Sequence, residues 1–391
     1  MSGGIVQLVA TGAQDAWLTG KPEVSFFRSN YRRYTHYAHS VERQIIQGQP
    51  TAGGISTIRF EKKGDLLSYV YFMARDSNAA PVVNLNWASV IDKVELLIGG
   101  QVIDTQDFQY MADIEPVTGA QTFNQRYLNN GTASAQNPTN AQATFFPLKF
   151  FFCKDWSVVL PLVALQFHDV EIRITWSSNL GASAIEAPTG SLPAGSTYQN
   201  LQYAFWTNFV YLDKDEREFF ASQEHNMLMT QVQRVPIGTA NMQELALAHP
   251  IKFLAFQSLQ YNSTGNYNAG ANTGNCDRMT LLTQINGSDV GEAKHLPHFV
   301  DVAQYYHTQF GYNPVPSGTN PTTPVAIIPF CLDTGKLQPT GTLNFSRIDT
   351  VELLLDLQDE LGDEEKTIIV FGRNFNVLRY RSGLAGLAYS S

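Results

Sequence analysis

The side chains best suited to chemistry in this 391-residue chain are few, and their spacing works against catalysis. His295-Leu296-Pro297-His298, with His307 further on, comes nearest to a metal signature. Two imidazoles on one helical face can ligate zinc, but Pro297 interrupts any helix that would orient the pair. The segment therefore reads as a polar loop. Asp359-Glu360-Leu361-Gly362-Asp363-Glu364-Glu365 lacks the spaced ligand order of a calcium loop and reads as an acidic turn between strands. Cys153, Cys276 and Cys331 are too far apart for a zinc motif and odd in number, so reduced thiols are expected. The chain contains no phosphate loop, no Gly-x-Gly-x-x-Gly and no Gly-x-Ser-x-Gly elbow. No nucleophile, base and orienting group can be assembled, so we expect no catalytic activity, no metal and no cofactor.

Composition points to what such a chain does instead. Aromatics at 12%, with 29 Gly and 18 Pro, suit short strands and tight turns better than long helices. Charged residues are 16%, below the quarter or so usual for a soluble domain, as in a chain that covers much of its surface with other subunits. The net charge of -9 argues against nucleic acid as the direct partner, since phosphate binding needs a basic face. The first ten residues lack the basic start and apolar run of a signal peptide, and no run of about 18 apolar residues suggests a membrane span. Synthesis and retention in a cytosol-like compartment are expected. Without secretion, the Asn-x-Ser/Thr triplets at 130, 262, 286 and 344 read as chance.

The elements follow from periodicity. Val170–Trp176 alternates apolar and polar residues, as does Val351–Leu357 apart from Leu354; both predict strands with one face in a core. Leu67–Met73 and Phe253–Phe256 predict buried strands. Gly99-Gly100 and Asn286-Gly287 predict hairpins, because both central turn positions must take positive φ. One stretch, Asp213–Ala221, predicts a helix, with acids at its start where the helix dipole favours them. Polar stretches at 129–143, 181–200, 262–275 and 313–324 read as surface loops.

The two halves also echo each other. Glu95–Gly100 matches Leu282–Gly287, Phe146–Leu148 matches Ile328–Phe330, and Asp169–Ile172 matches Thr350–Leu353. The offsets are 187, 182 and 181 residues, in the same order, which predicts a duplicated β domain.

Charge is uneven along the chain. From 21 to 63 there are eight basic residues (Lys21, Arg28, Arg32, Arg33, Arg43, Arg59, Lys62, Lys63) and three acids. Such asymmetry implies either an acidic partner or ion pairs within the subunit or with a mate. Arg28, Arg32 and Arg33, interleaved with Tyr31, Tyr34 and Tyr37, are the candidate assembly contacts.

Gly12-Ala13-Gln14-Asp15-Ala16-Trp17-Leu18-Thr19-Gly20-Lys21-Pro22, Leu97–Asp104, Leu160–Val170, Tyr211–Arg217, His249–Lys252, Leu343–Asp349 and Asn376–Arg379 together carry a family resemblance. In this order the chain resembles the major capsid proteins of nucleocytoplasmic large DNA viruses over nearly its whole length. Departures are minor: Thr340 and Phe256 stand where that family is expected to have Ser or Cys and Trp.

The resemblance implies an all-β fold of two tandem eight-stranded antiparallel jelly rolls. It implies an arm at 1–24, a first roll at 25–208, a connecting segment with a short helix at 209–245, and a second roll at 246–391. It also implies a homotrimer whose six rolls make a pseudo-hexagonal capsomer in an icosahedral shell. The implied partners are neighbouring capsomers, minor capsid proteins and an internal membrane surface, with assembly in the host cytoplasm and Arg28, Arg32 and Arg33 facing inward. A minor capsid or spike protein, or a carbohydrate-active jelly-roll protein, are the rival readings.

Overall fold

The computed structural model describes residues 3–75, 85, 87–119, 145–181, 197–236, 242–258, 280–295, 298–309, 325–356 and 368–389. It separates into a segment of residues 1–36 and a body of residues 37–391. The segment contains two short helices, Gly3–Val9 and Ala16–Thr19, neither with a buried residue. The loops expected at 129–143, 262–275 and 313–324 and the acidic turn at 359–365 lie outside the described residues, as does most of the loop at 181–200.

Among the described residues, four antiparallel sheets build the body. The first runs β1 (Tyr37–Gln44), β10 (Gln202–Leu212), β4 (Leu66–Arg75), β7 (Phe145–Pro147), with β8 (Leu160–Pro161) also on β4. The second runs β2 (Ile46–Gln47), β3 (Ile55–Arg59), β9 (Val170–Trp176), β5 (Ile91–Ile98), β6 (Gln101–Asp107). The third runs β11 (His225–Pro236), β20 (Ile368–Arg381), β13 (Pro250–Ser258), β17 (Ala326–Pro329). In it β18 (Leu343–Asn344) pairs β13 and β21 (Leu384–Leu387) pairs β20. The fourth runs β12 (Met242–Glu244), β19 (Val351–Asp356), β14 (Thr280–Ile285), β15 (Ser288–Asp289), with β16 (Lys294–His295) on β14.

The topology repeats. Leaving aside the two-residue strands β2 and β8, the first two sheets contain eight strands whose orders in sequence are 1-8-3-6 and 2-7-4-5. Leaving aside β16, β18 and β21, the last two sheets have the same orders. This is the jelly-roll winding, present twice. Among the described residues the count of eight holds for the through-paths alone, and short edge strands add to it. The three sequence echoes fall on equivalent strands: β5 and β14 are fourth in their rolls, β7 and β17 sixth, β9 and β19 seventh.

Local chemistry explains the elements. In β9 the exposure alternates without exception, Val170, Ile172, Ile174 and Trp176 being buried. Gly99, Gly100, Asn286 and Gly287 all take positive φ, closing the two hairpins as their residue types require. The predicted helix forms at Lys214–Ser222, and the Asp213 carboxylate caps it by accepting from the Lys214 N–H at 2.7 Å.

That helix lies between the two rolls, and the strands around it correct the expected connection. β10 continues to Leu212 and β11 starts at His225, so 209–212 and 225–236 are strand. The strands of the first roll begin at Tyr37.

The core explains why Phe253–Phe256 is apolar throughout. Phe253 and Ala255 join a core that fills the first roll and includes Phe72, Trp87 and Phe205. Leu254 and Phe256 point the other way, into the second roll's own core with Leu281 and Leu353. The third sheet is thus buried on both faces, inside its own sandwich and against the first roll.

Candidate functional site

The face of the third sheet that meets the first roll contains a buried polar network. Glu115 lies on a helical turn, Tyr110–Thr118, that follows β6, and it is 1% exposed. Arg373 reaches it from β20, with Nη1 3.1 Å from Oε2, and Lys154 reaches it from the loop before β8 at 2.8 Å. Tyr110 donates to Oε2 at 3.0 Å, and Arg373 Nη2 donates to Thr230 Oγ1 on β11 at 3.2 Å.

Burial pushes the Glu115 carboxyl up, but the charges of Arg373 and Lys154 outweigh it and hold the group down to about 2. Burial, then Arg373, presses Lys154 down to about 7. Burial raises Asp104 to about 6, although it accepts from Val232 N at 3.0 Å and Gln106 Nε2 at 2.7 Å.

Further bonds stitch the same seam. Gln231 Nε2 donates to the Ile103 carbonyl, and Arg234 Nη1 bonds Asp107 Oδ2 at 2.7 Å. At another point Phe167 N donates to Gly383 O at 3.0 Å, and His168 Nδ1 lies 3.0 Å from Ala385 O. These links join residues far apart in sequence and make the two rolls one compact unit.

The basic residues of 21–63 divide into two groups. Arg59 and Lys62 pair with Asp169, and Lys63 pairs with Glu42 and Glu61 at 3.0 and 2.9 Å. Arg28, Arg32 and Arg33 have no ion-pair partner among the described residues. Around them Phe26, Phe27 and Tyr31 are each at least 90% exposed, as is Trp17 earlier in the segment. The segment expected to be a polar loop is largely ordered: His295 is on β16, His298–Val302 and Ala303–His307 are helical turns, and His307 Nδ1 lies 2.9 Å from Cys331 O. Among the described residues no group of His, Cys, Asp and Glu could hold a metal, and no helix is long and apolar enough to cross a membrane.

Residues 25–213 match the family described as "Major capsid protein N-terminus", and residues 216–386 match "Large eukaryotic DNA virus major capsid protein". The chain belongs to this capsid protein family. It is 32% identical to the major capsid protein of Pyramimonas orientalis virus, and 29% identical to that of Paramecium bursaria Chlorella virus 1, over the whole of both chains in each case. In fold it is similar to the capsid protein of the PBCV-1 virus capsid quasi-atomic model, with a TM-score of 0.73 and 24% identity over 94% of this chain and 100% of that one. The Faustovirus major capsid protein gives 0.57 at 11% identity, covering 95% and 94%.

For a capsid family member the working parts are surfaces and seams. Sequence reasoning picked out Arg28, Arg32 and Arg33 and missed the seam. Glu115 and Arg373 are 258 residues apart, and neither stands in a motif. One signal was legible: Arg373 interrupts the apolar run around Ile369–Phe371, where a charge must find a partner or face water.

Proposed function

We propose that the chain is a shell-building subunit: three copies form a pseudo-hexagonal capsomer, and capsomers tile the facets of an icosahedral capsid. The observation that carries this reading is the jelly roll present twice in one compact unit. Three such chains place six similar rolls around an axis, a near-sixfold outline that packs in a flat layer. The division into an arm, two rolls and a short link at the Lys214–Ser222 helix belongs to the same reading.

Exposed apolar groups on the body supply material for lateral contacts. Tyr305 and Tyr306 are 69% and 72% exposed, and Leu332 is 74% exposed on the segment that bonds His307. In this reading the arm faces the particle interior, and Arg28, Arg32 and Arg33 meet an acidic minor capsid protein, a membrane surface or a neighbouring capsomer. The protein works without catalysis, and assembly takes place in the host cytoplasm.

Mass photometry of the purified chain tests the trimer: a species of three chain masses at micromolar concentration is expected, and a monomer refutes it. Deletion of residues 1–24, and separately R28E with R32E and R33E, tests the arm. Trimers that no longer close into shells are expected. Closed shells at normal yield from both variants refute the anchoring role.

A further inference from the structure

Between the two rolls lies a cavity of about 960 Å³, within the range that holds small organic ligands. Five basic residues line it (Lys149, Lys154, Lys252, Lys336 and Arg373) against two acids, Glu115 and Asp155. Neither acid is free to neutralise them all. Asp155 Oδ1 is engaged by Ser157 N and Oγ, each at 2.8 Å. Glu115 already accepts from Lys154, Arg373 and Tyr110.

The cations are buried. Lys149 is 9% exposed, and it forms no ion pair among the described residues. Arg373 Nε is buried without an acceptor. Lys252, 2% exposed, has the Lys336 carbonyl at 2.6 Å and lies over the Phe375 ring. Unpaired cations are costly to bury, and burial accordingly holds Lys149 below the ordinary lysine range.

We propose that this cavity binds a small phosphate-bearing anion, with its phosphate oxygens among Lys149, Lys154, Lys252 and Arg373. A phosphate group presents several oxygens in divergent directions, so it can accept from donors on separate elements, which a carboxylate does less well. The mouth is aromatic. Trp156, 62% exposed, meets Tyr69 edge-on at 6.1 Å, and Phe145 meets Tyr71 at 5.7 Å. Inorganic polyphosphate would use the cations alone, whereas a nucleotide would add a base stacked at this rim.

The test is calorimetric titration of the full chain with tripolyphosphate and, separately, with ATP at near-physiological salt. The wild-type chain is expected to bind at least one of them. Lys149→Gln and Lys252→Gln are each expected to weaken that binding by about tenfold or more, while Lys294→Gln on the exposed strand β16 leaves it unchanged. Trp156→Ala separates the sources: loss of ATP affinity alone indicates a nucleotide, and no change indicates inorganic polyphosphate. If the cavity variants misfold, reductive methylation of the wild-type chain decides. Tripolyphosphate or ATP should slow labelling of Lys149 and Lys154 several-fold relative to Lys294. Absence of binding, binding unaffected by Lys149→Gln in folded protein, or equal labelling with and without the anion overturns the proposal.

Discussion

Substituting Glu115 by Gln removes the carboxylate that Arg373, Lys154 and Tyr110 share at the seam between the rolls, with little change in volume. Three groups lose their counter-charge or strongest acceptor: Arg373 at 6% exposure, Lys154, and the Tyr110 hydroxyl at 0%. Removing one member of a buried ion pair costs about 3–5 kcal/mol, because the partner stays buried and uncompensated. Lys154, already pressed down to about 7, can shed its proton, so it contributes little to that cost. Arg373 cannot and carries most of it.

A unit of this size shifts its melting temperature by about 1.3 °C per kcal/mol, so E115Q should lower Tm by roughly 4–7 °C. Adding Arg373→Met should restore part of the loss, since the double variant buries no unpaired guanidinium. Differential scanning calorimetry of wild type, both single variants and the double variant measures this coupling. An E115Q chain melting within about 1 °C of wild type, or a double variant no better than E115Q, would refute the argument.

Acid should act through the same group. Glu115 is held at about 2 in the fold against 4.5 in the unfolded chain, so its stabilisation is complete above 4.5 and lost as pH falls from there toward 2. That amounts to about 3 kcal/mol, and denaturation titrations at pH 5 and pH 2.5 should show a smaller acid loss in E115Q than in wild type. Gly99→Asn should break its hairpin although Asn286 holds the equivalent turn position, because a Cβ at 99 meets the His168 ring at 2.5 Å. Asn286 instead accepts from Asp349 N and Thr350 N, both at 3.1 Å; thermal melts should show Gly99→Asn far below Gly100→Asn, where nothing lies within 4 Å. Trp87→Ala should cost about 3–5 kcal/mol in denaturant, since the fully buried indole stacks on Phe146 at 5.7 Å. Asp213→Ala should cost about 1 kcal/mol through loss of the helix cap, read by the same titration.

Much of the fold was legible in the sequence because its causes are local. Alternation in Val170–Trp176 is a statement about one strand's two faces, and it needs no knowledge of the partner strand. Positive φ at Asn286-Gly287 and a cap at Asp213 are settled within a few residues. The duplication was legible too, because equivalent strands face equivalent environments and so preserve similar patterns at a near-constant offset. Tertiary structure alone decided the rest. That β1 pairs with β10 rather than with a nearer strand depends on closure of the whole roll. The limits of the connection were misplaced because β11 resembles a polar segment: Thr230, Gln231, Gln233 and Arg234 face partners on other elements instead of an apolar core. Nothing in the sequence marks Glu115, Lys149 or Lys154 for burial, since a sequence gives no measure of what will exclude water from them. Only the docking of one roll on the other buries these groups together, and burial turns scattered charges into a network and a cavity.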